Sequence, residues 1–136
     1  LIVLDLDHFK RVNDTHGHQV GDEVLRQVGA GLERLVRRED VAARYGGEEF
    51  VVLLPGVDGE GGAAFAERVR ERLHAEVDAV PITVSAGVAC YPENARDVDE
   101  LVGRADGALY AAKRTGRDRV VRSEAQVRPV AVADAG

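Results

Sequence analysis

Arg44-Tyr45-Gly46-Gly47-Glu48-Glu49-Phe50 is the stretch on which the fold turns. Val41–Tyr45 on one side and Glu48–Leu54 on the other are both rich in strand-forming residues. Gly46 and Gly47 between them accept positive φ without steric cost, so the segment predicts a β-hairpin. The same glycines leave the turn bare, with room for a bulky ligand to approach the backbone. Glu48 and Glu49 follow at the rim of a strand, where carboxylates suit a hard cation. Read alone, the segment fits a merely soluble acidic turn equally well.

Upstream, Leu1–Leu6 is a short apolar run that ends in acids, and it reads as a buried strand. Asp5 stands at its edge and has two readings, a cap for the turn at Asp7-His8-Phe9 or a functional carboxylate. If this strand lies beside the hairpin, Asp5 and Glu48 converge. Close carboxylates repel, and Mg²⁺ is the simplest relief. Asp7–Thr15 predicts a turn or two of helix, and His16–Gly21 a glycine-rich connection. A helix follows over Asp22–Arg37, with Asp22 placed to cap or enter it and Val24, Leu25, Val28, Leu32, Leu35 and Val36 on one stripe.

Downstream of the hairpin, Pro55–Gly62 reads as a loop and Ala63–Val77 as a helix burying Phe65, Ala66, Val69 and Leu73. Ile82–Ala89 alternates Ile82, Val84, Ala86 and Val88 with smaller residues, so it predicts a strand. Val98–Thr115 is a third helix stopped by Gly116, and Arg119–Val121 a short last strand. His74 reads as a solvated helix residue, and Cys90 as a small packing residue at a strand end. Ser123–Gly136 lacks periodicity and is expected to be a disordered tail. The fold class is α/β (α+β), in β-α-β-β-α-β order with an extra helix and strand. It predicts a mainly antiparallel central sheet with helices on one face.

Composition narrows the function. The chain has 136 residues, which suits one domain, and its net charge of -6 argues against a protein that coats nucleic-acid polymers. A single cysteine permits no intrachain disulfide and fits a reducing, cytoplasmic setting. No apolar run approaches the length of a membrane span, although a longer protein could still be membrane-attached.

Two further groups could serve a nucleotide. Phe9-Lys10-x-x-Asn13-Asp14 puts a cation a turn or two beyond the acids. Asn13 and Asp22 offer the acceptors that guanine's N1–H and N2–H₂ require, although Asn-Asp is also an ordinary turn pair. Lys113-x-x-x-Arg117 could aim two cations at one phosphate, or simply place favourable charge at a helix C-terminus.

Taken together the chain resembles the GGDEF domains, the diguanylate cyclases, over Leu1–Arg122. The resemblance rests on Asp5–Asp14, Gly17-His18, Gly21-Asp22, Arg44–Phe50, Ser85–Val88, Ala105-Asp106, Tyr110, Ala112-Lys113 and Gly116-Arg117 standing in order at family-like spacing. It implies a fold like the palm of nucleotidyl cyclases and polymerases. It implies that Asp5, the Leu6 carbonyl and Glu48, with Glu49 helping, hold Mg²⁺ (or Mn²⁺). Glu48 would also be the general base and Lys10 a stabiliser of phosphate charge. Asn13 and Asp22 would read guanine, His18 would line the site beside Gly46 and Gly47, and Lys113 and Arg117 would bind the β- and γ-phosphates.

Arg37-x-x-Asp40, with Arg68 as a weaker contact, matches the family's inhibitory product site for cyclic di-GMP. GTP is the implied substrate, cyclic di-GMP the product and inhibitor, and a homodimer the catalytic unit. Residues 1–122 would be the catalytic domain without the helix that precedes its first strand in the family, and the full protein would carry an upstream sensory or receiver domain. A non-catalytic cyclic di-GMP receptor and a mixed cyclic dinucleotide synthase are the alternative readings.

Overall fold

The structure, a computed structural model, describes residues 1–127. Its elements run β1 (Ile2–Leu6), α1 (Phe9–His16), α2 (His18–Leu35), β2 (Val41–Arg44), β3 (Glu49–Leu53), α3 (Gly59–Glu76), β4 (Val84–Val88), α4 (Val98–Arg114) and β5 (Arg119–Arg122). They build an α+β domain on a sheet ordered β2-β3-β1-β4-β5. β1 lies at the centre, antiparallel to β3 and β4, β2 is antiparallel to β3, and only β4–β5 is parallel.

Alternation along β1 divides the core. Ile2, Leu4 and Leu6 face a large cluster with Val24, Val28 and Leu32 of α2 and Phe65, Val69 and Leu73 of α3. Val3 faces the other way, into a smaller cluster with Ala105 and Leu109 of α4. Each large side chain removed from water in this way contributes roughly 1.5–3 kcal/mol.

Helices therefore cover both faces of the sheet, not one. The reason lies in β4. Val84, Ala86 and Val88 point into the large cluster, while Ser85 and Gly87 face α4. A Cβ at Gly87 would come within 2.2 Å of the Ala105 carbonyl oxygen and 2.3 Å of the Leu109 nitrogen. The small residues that looked like the outward half of the alternation are small because a helix backbone rests on them.

Two helices begin earlier than their sequence patterns predict. Gly17, at φ 89, is the single break between α1 and α2, so α2 starts at His18. Asp22 is consequently an exposed residue within the helix and not its cap. α3 starts at Gly59 because the Asp58 carboxylate caps it, accepting the Gly61 N–H at 2.7 Å. His74 is exposed yet tethered, its Nδ1 lying 2.9 Å from the Ile82 carbonyl oxygen.

Residues Ser123–Val127 carry no helix or strand, and hydrogen bonds join them to the loop after β4: Asn94 Nδ2 donates to the Ala125 oxygen at 2.6 Å, and the Val127 N–H to that of Glu93 at 2.9 Å. The rest of the expected tail, 128–136, lies outside the described residues. No helix among the described residues is long and apolar enough to cross a membrane.

Candidate active site

The C-terminal end of β1 is where the polar residues collect. β1 and β3 pair in the register Asp5↔Glu49, and the Leu6 N–H donates to the Glu48 oxygen at 3.2 Å. Both glutamates therefore stand beside the last residues of β1, with Glu49 directly across from Asp5. α4 lies over the same face through Ala105 and Leu109, and its next turn delivers Lys113. Lys113 Nζ donates to Asp5 Oδ2 at 2.5 Å.

Asp5 is 6% exposed. Burial raises its pKa above the ordinary carboxylate value, and the hydrogen bond and charge of Lys113 offset part of that rise. Glu48 and Asp7 push in the same direction as burial. Glu49 is also raised, by burial first and then by the negative charge of Asp5.

A cleft of about 160 Å³ opens here, lined by Asp5, Leu6, Lys10, Glu48, Lys113 and Arg117, together with Asp7, His8 and Phe9. It unites residues that are scattered along the sequence. Its volume suits a phosphate end and a cation better than a whole nucleotide, so a base would lie outside it.

The α1–α2 pair supplies the neighbouring surface. A Cβ at Gly21 would come within 1.9 Å of Asn13 Oδ1 and 3.3 Å of the Phe9 ring. The missing side chain at Gly21 thus lets the Asn13 amide lie against α2, one residue from Asp22. His18 is exposed at the start of the same helix. The hairpin turn forms the other border. Arg44 Nε donates to the carbonyl oxygens of Gly46 and Gly47 at 3.2 and 3.0 Å, and Gly46 sits at φ 90. Gly47 is outside the left-handed region, and nothing lies within 4 Å of where its Cβ would be. No neighbour among the described residues requires a glycine there, which leaves the space for a ligand.

The residues present fit a divalent cation shared with a nucleotide. Among the described residues no group of three His, Cys, Asp or Glu gathers tightly enough to cage a metal. Mg²⁺ commonly uses one or two carboxylates and takes its other oxygens from water and phosphate. A buried carboxylate that already draws an ammonium to 2.5 Å supplies that kind of partner.

Arg37 and Asp40 are brought together in the turn before β2. Asp40 Oδ2 accepts the Arg37 N–H at 2.8 Å, leaving the exposed arginine side chain on the surface. Arg68 is on α3 with its guanidinium 5.4 Å from the Phe65 ring, and no hydrogen bond joins it to that turn among the described residues. Sequence reading missed Asp7, a buried acceptor for Thr83 and Ser85, because its burial depends on β4.

Known proteins share this sequence pattern and fold. A family model described as "Diguanylate cyclase, GGDEF domain" matches residues 1–119. The diguanylate cyclase DgcP of Pseudomonas aeruginosa is 46% identical over 125 residues, covering 88% of this chain. The GGDEF domain of DgcB from Caulobacter crescentus, solved in complex with c-di-GMP, superposes with a TM-score of 0.80 at 38% identity, covering 91% of this chain and 77% of that one. The active GGEEF domain of a diguanylate cyclase from Vibrio cholerae gives 0.83 at 35% identity, covering 90% and 81%. The chain spans only 18% to 36% of the length of the first curated relatives it matches.

Proposed function

This chain belongs to the GGDEF family of diguanylate cyclases, and from that premise we propose that it condenses two GTP into cyclic di-GMP and two pyrophosphates. The observation that carries the reading is the single cleft shared by Asp5, Leu6, Lys10, Glu48, Lys113 and Arg117. Such a set suits phosphoryl transfer, where the protein mainly positions reactants and stabilises charge.

In each of the two condensation steps the 3′-oxygen of one GTP bonds to the α-phosphorus of the other. The bond from that phosphorus to the β-phosphate oxygen breaks, and pyrophosphate leaves with the electron pair. Glu48 takes the 3′-hydroxyl proton. Lys10 stabilises the phosphate charge at the cleft wall, and Lys113 and Arg117 hold the β- and γ-phosphates. Asn13 and Asp22 accept from the guanine edge, His18 lines the same surface, and Gly46 and Gly47 leave the nucleotide room.

Asp5, Glu48 and the Leu6 carbonyl, supported by Glu49, would hold Mg²⁺ (or Mn²⁺), which when bound neutralises the attacking and leaving oxygens. One copy holds one GTP, so two copies face each other as a homodimer during the reaction.

Incubation with GTP and Mg²⁺, with ATP in parallel, tests the activity by chromatography and mass. Cyclic di-GMP should form from GTP and nothing from ATP, and Glu48→Ala should lower the rate by roughly a hundredfold or more. Wild-type turnover in that variant would remove Glu48 as the base. A cyclic product from ATP would overturn the assignment to guanine.

Arg37, Asp40 and Arg68 form the inhibitory product site in this reading. It is supported by the turn that holds Arg37 and Asp40 together, and by the planar guanidinium's fitness to stack on a base and hydrogen-bond its edge. Arg37→Ala should relieve inhibition by added cyclic di-GMP while leaving the initial rate in place. Inhibition unchanged from the wild type would remove this site.

A further inference from the structure

The turn after α4 has a backbone that needs holding. Gly116, Arg117 and Asp118 stand at φ 130, 62 and 46, three successive residues in the left-handed half of conformational space. Arg117 and Asp118 carry side chains, so each is disfavoured there unless its surroundings over-determine it. Arg117 is the residue this turn presents to the cleft.

Three contacts fix the turn. The Arg117 N–H donates to the Ala112 oxygen at 2.9 Å, which closes α4 onto it. The Asp118 N–H donates to Asp7 Oδ2 at 3.0 Å. Arg70 Nη1, from α3, donates to Asp118 Oδ1 at 2.9 Å.

Asp7 is itself buried and hydrogen-bonded. It is 7% exposed, and hydroxyls at and just before the start of β4 hold both of its oxygens, Thr83 Oγ1 on Oδ2 and Ser85 Oγ on Oδ1, each at 2.7 Å. Arg70 is steadied by Glu67, which accepts from its Nε at 2.9 Å. Asp118 is thus gripped from two sides, its main chain by the end of β1 and its side chain by α3. Neither Arg70 nor Asp118 lines the cleft.

We propose that Asp7, Asp118 and Arg70 form a positioning clamp for Arg117. Arg70 and Asp118 act from outside the cleft, and Asp7 acts through the backbone N–H of Asp118. Together they hold a strained turn that aims the Arg117 guanidinium at the terminal phosphates, so the inference rests on the reading of Arg117 given above. A clamp of this kind affects phosphate affinity and leaves recognition of the base in place.

The test uses 3′-deoxy-GTP, which binds without reacting, and 3′-deoxy-GMP, which lacks the phosphates Arg117 would hold. Each is titrated calorimetrically with Mg²⁺ into the chain and into Arg117→Ala, Arg70→Gln, Asp118→Asn and the double variant Arg70→Gln/Arg117→Ala. Asn tolerates positive φ, so Asp118→Asn removes the ion pair and keeps the turn accessible. Arg70 and Asp118 are partly exposed, and circular dichroism checks that each variant folds.

Arg117→Ala, Arg70→Gln and Asp118→Asn should each weaken 3′-deoxy-GTP by roughly fivefold or more, and 3′-deoxy-GMP by less than about twofold. The double variant should bind like Arg117→Ala alone, because the clamp acts only through Arg117. Additive losses, equal losses for both nucleotides, or full affinity in Arg70→Gln and Asp118→Asn beside a weakened Arg117→Ala would overturn the clamp. Full affinity in Arg117→Ala would overturn the phosphate role of Arg117 and the clamp with it.

Discussion

At Asp5, burial and charge pull in opposite directions. Burial favours the protonated acid, while Lys113 favours the carboxylate, and the net pKa is raised. The proton is then held more tightly in the folded chain than in the unfolded one. The stability contributed by this group is fully present below the unfolded value, roughly 4, and is lost as pH rises through the folded value. Glu49 works in the same sense. Glu23, held at about 2 by Arg26, and Glu76 and Glu100, also lowered by arginines, work in the opposite sense. The measurement is therefore a difference. Without divalent metal, the thermal midpoint of Asp5→Asn should gain on that of the wild type as pH rises above roughly 4. A gap that is constant with pH would show that Asp5 is not raised. At this scale the sequence offers Asp5, Glu48 and Glu49 as candidates without their full set of neighbours. It brings Asp5 together with Glu48, and both line the cleft, while the register sets Glu49 directly opposite Asp5 and α4 places Lys113 on Asp5 from 108 residues away.

Elements were legible wherever a local rule governed them. The hairpin followed from two glycines between strand formers, and α4 from its periodicity and stop. The rest depended on neighbours. Asp58 capping recruited Gly59–Gly62 into α3 against their low helix propensity, and the fit of Gly21 beneath Asn13 and Phe9 drew His18–Gly21 into α2. Gly87 is the clearest case, since its reason lies wholly in a helix that comes later in the chain. Gly87→Ala would drive a Cβ into the backbone of α4, which cannot swing aside as a side chain can. We expect a loss of about 3 kcal/mol and a fall in thermal midpoint of roughly 10 °C by calorimetry. Because α4 carries Lys113, the same variant should also weaken GTP binding. A midpoint within a degree or two of the wild type would mean that α4 does not rest on β4 as closely as described.

For the whole molecule, the cleft is open and sized for one phosphate end, and the proposed reaction would join two copies of the chain. At saturating GTP the rate per chain should rise with chain concentration and then level off. A constant rate per chain in a solution shown to be monomeric by light scattering would overturn the pairing.

By itself the sequence determined the mixed fold, a buried first strand, the hairpin and six of the nine residues that line the cleft, because these depend on periodicity, turn chemistry and residue type within short spans. Tertiary structure alone decided that helices lie on both faces, that Asp7 is a buried anchor, and that Arg117 is reached through a strained turn held from β1 and α3. Those features depend on contacts between residues far apart in the chain, and a local pattern carries no record of the partner that will lie against it.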